Sequence, residues 1–355
     1  MTAVLHAGRP VDRPSGHAGD DPRDRKAEHI ELALEARMQL DHHYFDDWAF
    51  EHVALPEIDR AAVDVSTEFL GRELGAPLLI SCMTGGTEVA SRINTNLAAA
   101  AEAARIAVGV GSQRKALEDA STTGSFEVRE AAPTVPLLAN LGAVQLNYGY
   151  GPAECRRAVE MIGADALVLH LNPVQEAIQP EGQGDFSDLL PKMAEVAREL
   201  EVPVIAKEVG CGISGAVARR LCEHGIRIVD TAGLGGTSWA RIEAARAGDV
   251  DLGELFAGWG VPTPESIRQC AAVGGLTVIG SGGVRNGIDV AKAIALGADL
   301  VGMAFPFLEA ATESVERVAA KIERTVRELE IAMFCLGART VAELRRVPIH
   351  ERSGR

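Results

Sequence analysis

From about residue 77 onward, short and nearly continuous apolar runs recur along the 355-residue chain, separated by segments with helical periodicity. The runs fall at residues 77–81, 106–110, 136–140, 166–171, 203–207, 226–230, 276–280 and 300–303. Strands apolar on both faces belong to a parallel sheet covered on both sides, and the spacing leaves room for a crossover helix after each run. Eight such units predict an α/β fold, a TIM (β/α)8 barrel over residues 77–355, with a helical C-terminal tail. Helix ends are punctuated in the expected chemistry. Ser214 can cap a helix carrying Val217 and Leu221 that stops at Gly225, Thr263 and Pro264 read as a cap and a first-turn proline, and Thr340 with Glu343 reads as a capping box.

Ahead of the barrel, residues 1–24 mix Gly, Pro, Asp, Arg and His with few large apolar residues, so this extension is expected to be disordered. Residues 25–40 place Ile30, Leu32, Leu34 and Met38 among charges and predict a helix with Arg25, Lys26 and His29 in its first turn. That helix opens a lead-in segment, 25–76. On composition alone, a solvated basic start to a surface helix is the favoured reading.

The polar residues fall where the strands end: SCMTGG, GSQR, ANLG, HLNPVQE, AKEVG, DTAGLGGTSW, GSGGVR and GMAFPF follow the eight runs in order. All of these lie at the C-terminal face of the predicted barrel, where barrel enzymes build their sites. The connections 177–190 and 232–261 are long, as lids and binding elements are. The unit VIGSGGVR, a helix at 288–296 and a stop at Gly297 has the form of a phosphate turn, although a tight strand-to-helix turn needs glycines with or without a ligand.

Composition narrows the function. With 35 Lys and Arg against 50 Asp and Glu the net charge is −15, and no basic run exceeds a triplet, which argues against nucleic acid. Hydrophobic content of 47% with 37 glycines suits one large aliphatic core with tight turns. Six cysteines without a CxxC motif fit reduced thiols. No apolar run reaches a membrane span, and charges stand where a signal peptide would be apolar, so a cytoplasmic protein without membrane contact is expected.

The motifs RKxxH at 25–29, MTGG at 83–86, GSQR at 111–114, HxNxxQE at 170–176, QPEG at 179–182, KEVG at 207–210, GGT at 235–237 and SGGVRNGxD at 281–289 together resemble the FMN-dependent, type 2 isopentenyl diphosphate isomerases. The last motif is shared by many FMN barrels; the combination of RKxxH, MTGG and NPVQEAIQPEG is more specific. The resemblance implies that Gly282, Gly283, Ala304 and Phe305 hold the FMN phosphate, with Thr237 on the phosphate or ribityl chain. It implies that Cys82, Met83 and Thr84 border the flavin ring, that Ser112 and Asn140 bond its polar edge, and that Lys207 faces the N1/O2 side of a reduced, anionic flavin. A lysine paired with Asp230 or Glu208 is the plainer alternative. Arg25, Lys26, His29 and Arg114, with His170 and Asn172, would bind the substrate diphosphate, Glu176 would hold Mg²⁺, and Gln175 would orient the alkene or relay a proton. NADPH would reduce the flavin, and the assembly would be a homo-oligomer, a tetramer or octamer. A second reading, an FMN oxidoreductase acting on α-hydroxy acids or nucleotides, would draw on Arg285 or on Cys211 in VGCG.

Overall fold

A computed structural model describes residues 22–352, with the side chains described from Lys26 onward. Eight parallel strands close into a barrel in chain order: β1 Leu78–Ile80, β2 Ala107–Gly109, β3 Leu137–Gly142, β4 Ala166–Leu171, β5 Val204–Glu208, β6 Ile228–Asp230, β7 Thr277–Ser281 and β8 Leu300–Met303. The closing pair is β8 on β1, with Val301 opposite Leu78. Each strand overlaps the run that predicted it: β1, β2 and β6 are trimmed, β4 and β8 match it, and β3, β5 and β7 continue one or two residues past its C-terminal end. The inner layer contains Leu79, Ala107, Leu138, Ala166, Ile205, Ile228, Ile279 and Leu300, buried with Phe69 and Leu74 of an antiparallel hairpin, Thr67–Phe69 with Arg72–Leu74. That hairpin plugs the N-terminal end of the barrel, and the C-terminal end is left for the site.

Register places chemistry in one row. Gly142 lies opposite His170, His170 opposite Lys207, and Lys207 opposite Asp230 across β3, β4, β5 and β6. Neighbours in a parallel ladder project to the same face, so three titratable side chains are gathered at one level of the barrel.

Outside the barrel the structure departs from the expectations in several places. The first helix runs Pro22–Leu34, so residues 22–24 belong to it, and residues 1–21 lie outside the described ones. It stops short of residue 40 because the chain after it is tied down. A 3₁₀ turn at Ala36–Met38 leads to Gln39, which bridges Thr237, while Leu40 N–H donates to Gly236 O at 2.9 Å and Ser238 N–H to Met38 O at 2.8 Å. The connection 232–261 is largely helical, with Trp239–Ala247 capped by Ser238 and Val250–Ala257 capped by Asp249. In 177–190, the helix Pro173–Ile178 ends early in the segment and irregular chain continues to Leu189.

At the tail, Thr340 Oγ1 accepts from Glu343 N–H at 3.2 Å, but the Glu343 carboxylate takes Arg339 N–H, one residue before the cap. Thr263 occupies the first helical position after Pro262 rather than the cap, and its hydroxyl donates to Leu234 O. Strand Ile349–Glu351 pairs with Trp48–Phe50, joining the tail to the lead-in segment. No described helix is long and apolar enough to cross a membrane.

Candidate active site

A cavity of about 500 Å³ opens at the C-terminal ends of the strands, within the range of cofactor and small-molecule sites. It is lined by every residue that the isomerase resemblance nominated except Arg25, whose side chain lies outside the described ones.

At one end two glycine turns meet backbone to backbone. Gly282 has φ +107°, and a Cβ there would stand 2.2 Å from Gly233 O, so neither conformation nor space admits another residue. Gly283 packs against Gly235 and Gly236. Ala304 precedes the helix Phe305–Glu313, whose first residues Phe305 and Pro306 also line the cavity. Thr237 exchanges hydrogen bonds with the Gln39 side chain at 2.9 and 3.1 Å, which brings the lead-in segment across this end. Arg285, at the close of the turn, is held by Asp289 and Asp46.

In the middle stands Lys207. Its Nζ donates to Glu208 O at 2.7 Å and lies 3.9 Å from Asp230 Oδ2, so the plainer pairing exists beside exposure to the cavity. Asp230 is buried, which raises its pKa against the opposing pull of Lys207, and its Oδ1 accepts from the Ser281 hydroxyl. Burial pushes the Cys82 thiol up to about 11, so it borders the cavity as a neutral group.

His170 Nδ1 lies 2.8 Å from Asn140 Oδ1, and burial, followed by Lys207, depresses its pKa to about 3. With Nδ1–H donating to Asn140, the neutral ring offers Nε2 as an acceptor. The expected donation from His170 to a diphosphate therefore requires the opposite tautomer and a turned Asn140 amide.

At the far end, Asn172, Gln175 and Glu176 sit on or just before the helix Pro173–Ile178. Asn172 Nδ2 donates to Gln175 Oε1 at 3.1 Å and to Glu176 Oε1 at 2.9 Å, and Gln183 N–H donates to Glu176 Oε2 at 2.6 Å. Arg114 reaches Gln183 Oε1 at 3.1 Å while paired with Glu118. No group of three His, Cys, Asp or Glu side chains that could hold a metal occurs among the described residues. Glu176 is thus a single carboxylate, a donor set suited to Mg²⁺ that keeps waters and takes substrate phosphate oxygens.

The sequence reading missed Glu243. Fully buried, its Oε1 accepts from Gln175 Nε2 at 2.7 Å and lies 3.1 Å from His29 Nε2, while Oε2 takes Arg246 Nη1 at 2.6 Å. Burial works to raise its pKa, but His29, Gln175 and Arg246 together lower it, so it is an ionised acceptor. His29 is lowered by burial despite that carboxylate, and its ring packs edge-on to Trp239 at 5.3 Å. It is therefore a neutral group next to Glu243 rather than a free cation for a diphosphate. The available signal was the Ser238 cap followed by Trp239 and Glu243 at i, i+4, which puts both on one helical face. Three other lining groups, Ser81 Oγ, His43 Nδ1 and Asn172 Oδ1, are buried without a protein partner and offer polar contacts to an occupant.

The model of the FMN-dependent dehydrogenase family matches residues 30–133 and 183–351. The chain is 53% identical to an isopentenyl-diphosphate delta-isomerase of Synechococcus sp. over 91% of this chain and 94% of that one. It is 52% identical to one of Paracoccus zeaxanthinifaciens, over 90% and 95%. The chain belongs to the FMN-dependent isopentenyl-diphosphate delta-isomerase family. An isopentenyl-diphosphate delta-isomerase from the more distant Methanothrix thermoacetophila is 48% identical over 92% of each chain. Among solved structures, mandelate oxidase with (S)-2-phenylpropionate superposes with a TM-score of 0.63 at 20% identity, covering 91% of this chain and 90% of that one, a likeness of fold. The residues of this isomerase-family cavity fit FMN: a glycine cradle that a Cβ would fill, a lysine at mid-cavity and buried polar atoms in want of partners.

Proposed function

We propose that the protein interconverts isopentenyl diphosphate and its allylic isomer by a 1,3 proton shift, with FMN in the cavity, NADPH as the source of reduction and Mg²⁺ on the diphosphate. The observation that carries this reading is that one cavity joins a glycine cradle and Lys207 to the Gln175, Glu243 and Glu176 constellation. Reduced FMN supplies electron density and an exchangeable proton against an alkene that gains positive character. The chain's own residues do the rest. Gly282, Gly283, Ala304, Phe305 and Thr237 would seat the cofactor phosphate, and Cys82, Met83, Thr84, Ser112 and Asn140 would border the ring. Lys207 would balance an anionic flavin. Lys26 and Arg114 would bind the diphosphate, with Asn172 adding a contact and Glu176 presenting the metal. Gln175, fixed at both ends by Asn172 and Glu243, would hold one orientation toward the alkene.

The oxidoreductase readings lose ground on geometry. Arg285 is committed to Asp46 and Asp289 and is not open to a substrate carboxylate. Cys211 stands outside the lining of the main cavity, with a thiol pushed up to about 12 by burial.

The test is stoichiometric. FMN-loaded protein reduced with NADPH without oxygen should give many turnovers per reducing equivalent, with solvent deuterium entering the product at carbon. Oxidised protein should be inactive, and EDTA should lower the rate. NADPH disappearing one for one with product would overturn the isomerase reading.

A further inference from the structure

Arg246 sits on the helix Trp239–Ala247, outside the cavity lining and only 11% exposed, yet it contacts three carboxylates from three segments. Its Nε donates to Glu28 at 3.0 Å, on the first helix. One Nη donates to Glu181 at 3.0 Å, in the chain following Pro173–Ile178, and the other to buried Glu243 at 2.6 Å. The planar guanidinium fork can span such a set, whereas a lysine ammonium is a single point charge.

Each tethered segment carries site residues. The helix holds Lys26 and His29 at the cavity wall, and the chain at 181–183 delivers Gln183, whose amide and carbonyl organise Glu176 and Arg114. A residue outside the cavity lining thus joins two walls of that end of the cavity to the barrel.

We propose that Arg246 is a positioning residue, a clasp that holds the first helix and the 179–188 segment closed over the diphosphate end of the cavity. The inference rests on reading that end as a diphosphate site. Closure favoured beforehand raises the fraction of molecules competent to bind, so releasing the clasp weakens affinity by that fraction.

The experiment uses FMN-loaded protein and reads two quantities, amide hydrogen exchange by mass spectrometry and the Kd for inorganic diphosphate. Arg246→Lys keeps a cation beside Glu243, which protects the fold, but cannot span the set. Exchange in residues 26–34 and 179–188 should rise while strands β1 to β8 stay protected and flavin stays bound. The diphosphate Kd should rise roughly three- to tenfold, the scale set by losing two part-exposed ion pairs. Glu28→Gln, at a side chain 49% exposed, should loosen the helix alone, and Glu181→Gln, 40% exposed, the 179–188 segment alone.

Unchanged exchange in both segments for Arg246→Lys would overturn the clasp, as would an unchanged diphosphate Kd. A rise spread through the barrel strands would also overturn it, because that marks a structural arginine. Failure of the isomerase reading is separate: wild-type protein that binds diphosphate and loses affinity in Arg246→Lys, but never converts isopentenyl diphosphate, leaves the clasp standing.

Discussion

Half-buried at the end of β4 beside Asn140 and the Lys207 ammonium, the His170 imidazole is held neutral, with a pKa pushed down to about 3 by desolvation and then by Lys207. Its unfolded value is about 6.5, so protonation favours the unfolded chain as soon as the pH falls below that. The stability from the neutral ring is complete above about pH 6.5 and is lost as pH drops toward 3, at up to about 1.4 kcal/mol per pH unit. His29, also lowered, acts in the same direction. Melting temperatures measured between pH 7 and pH 4 should fall in the wild type and fall less steeply in His170→Gln; parallel curves would show that His170 does not set the dependence. Gln175 gives a kinetic prediction at the same scale. Truncation to Ala removes a group oriented by Asn172 and Glu243 without touching the glycine cradle, so flavin should be retained while turnover falls roughly a hundredfold. Loss of flavin together with turnover would reassign Gln175 to cofactor binding.

Among the elements, the turn after β7 is the least tolerant. Gly282 adopts φ +107° with the Gly233 carbonyl in the place a Cβ would take. Gly282→Ala must move one of two interlocked turns, and the expected result is protein that purifies with little FMN, read from the flavin-to-protein absorbance ratio. Normal flavin content would show that the phosphate sits elsewhere. The two long connections teach a different lesson. Residues 232–261 were legible as a functional segment but not as two helices, although Ser238 and Asp249 are both good caps. Their apolar residues form no clean one-faced stripe: the first helix buries Glu243 between Ile242 and Ala244, and the second leaves Val250 and Leu255 exposed. The first helix shows the converse: its periodicity runs to Met38, yet the backbone leaves it at Leu34 to bond Gly236 and Ser238. Local propensity is a weak prior beside such tertiary bonds.

For the whole molecule, the difficulty is a chain of net charge −15 that is proposed to hold two phosphorylated ligands. The fold answers it locally, by converging Lys26, Arg114 and Lys207 on one cavity while the excess carboxylates lie mostly elsewhere. The same single barrel predicts the cofactor's size. The turns at Gly282 and Ala304 would together seat one phosphate, and the described strands all belong to one barrel or to two small pairs, with no dinucleotide unit among the described residues. Mass spectrometry of flavin released from purified protein should therefore find FMN; FAD would contradict the assignment.

The sequence by itself determined the eight strands, their closure into a barrel and the face that carries the chemistry, because apolar runs, helix stops and polar strand ends are properties of consecutive residues. It also nominated nearly the whole cavity wall, since barrel geometry sends every strand end to one place. Only the tertiary structure decided how those groups are engaged. It placed Glu243 beneath Gln175, set His29 against a carboxylate, gave Lys207 a standing pair in Asp230 and gathered Glu28, Glu181 and Glu243 onto Arg246. Contacts between residues as far apart as 28 and 246 depend on how the connections fold over the mouth, and no local pattern in the chain encodes that distance.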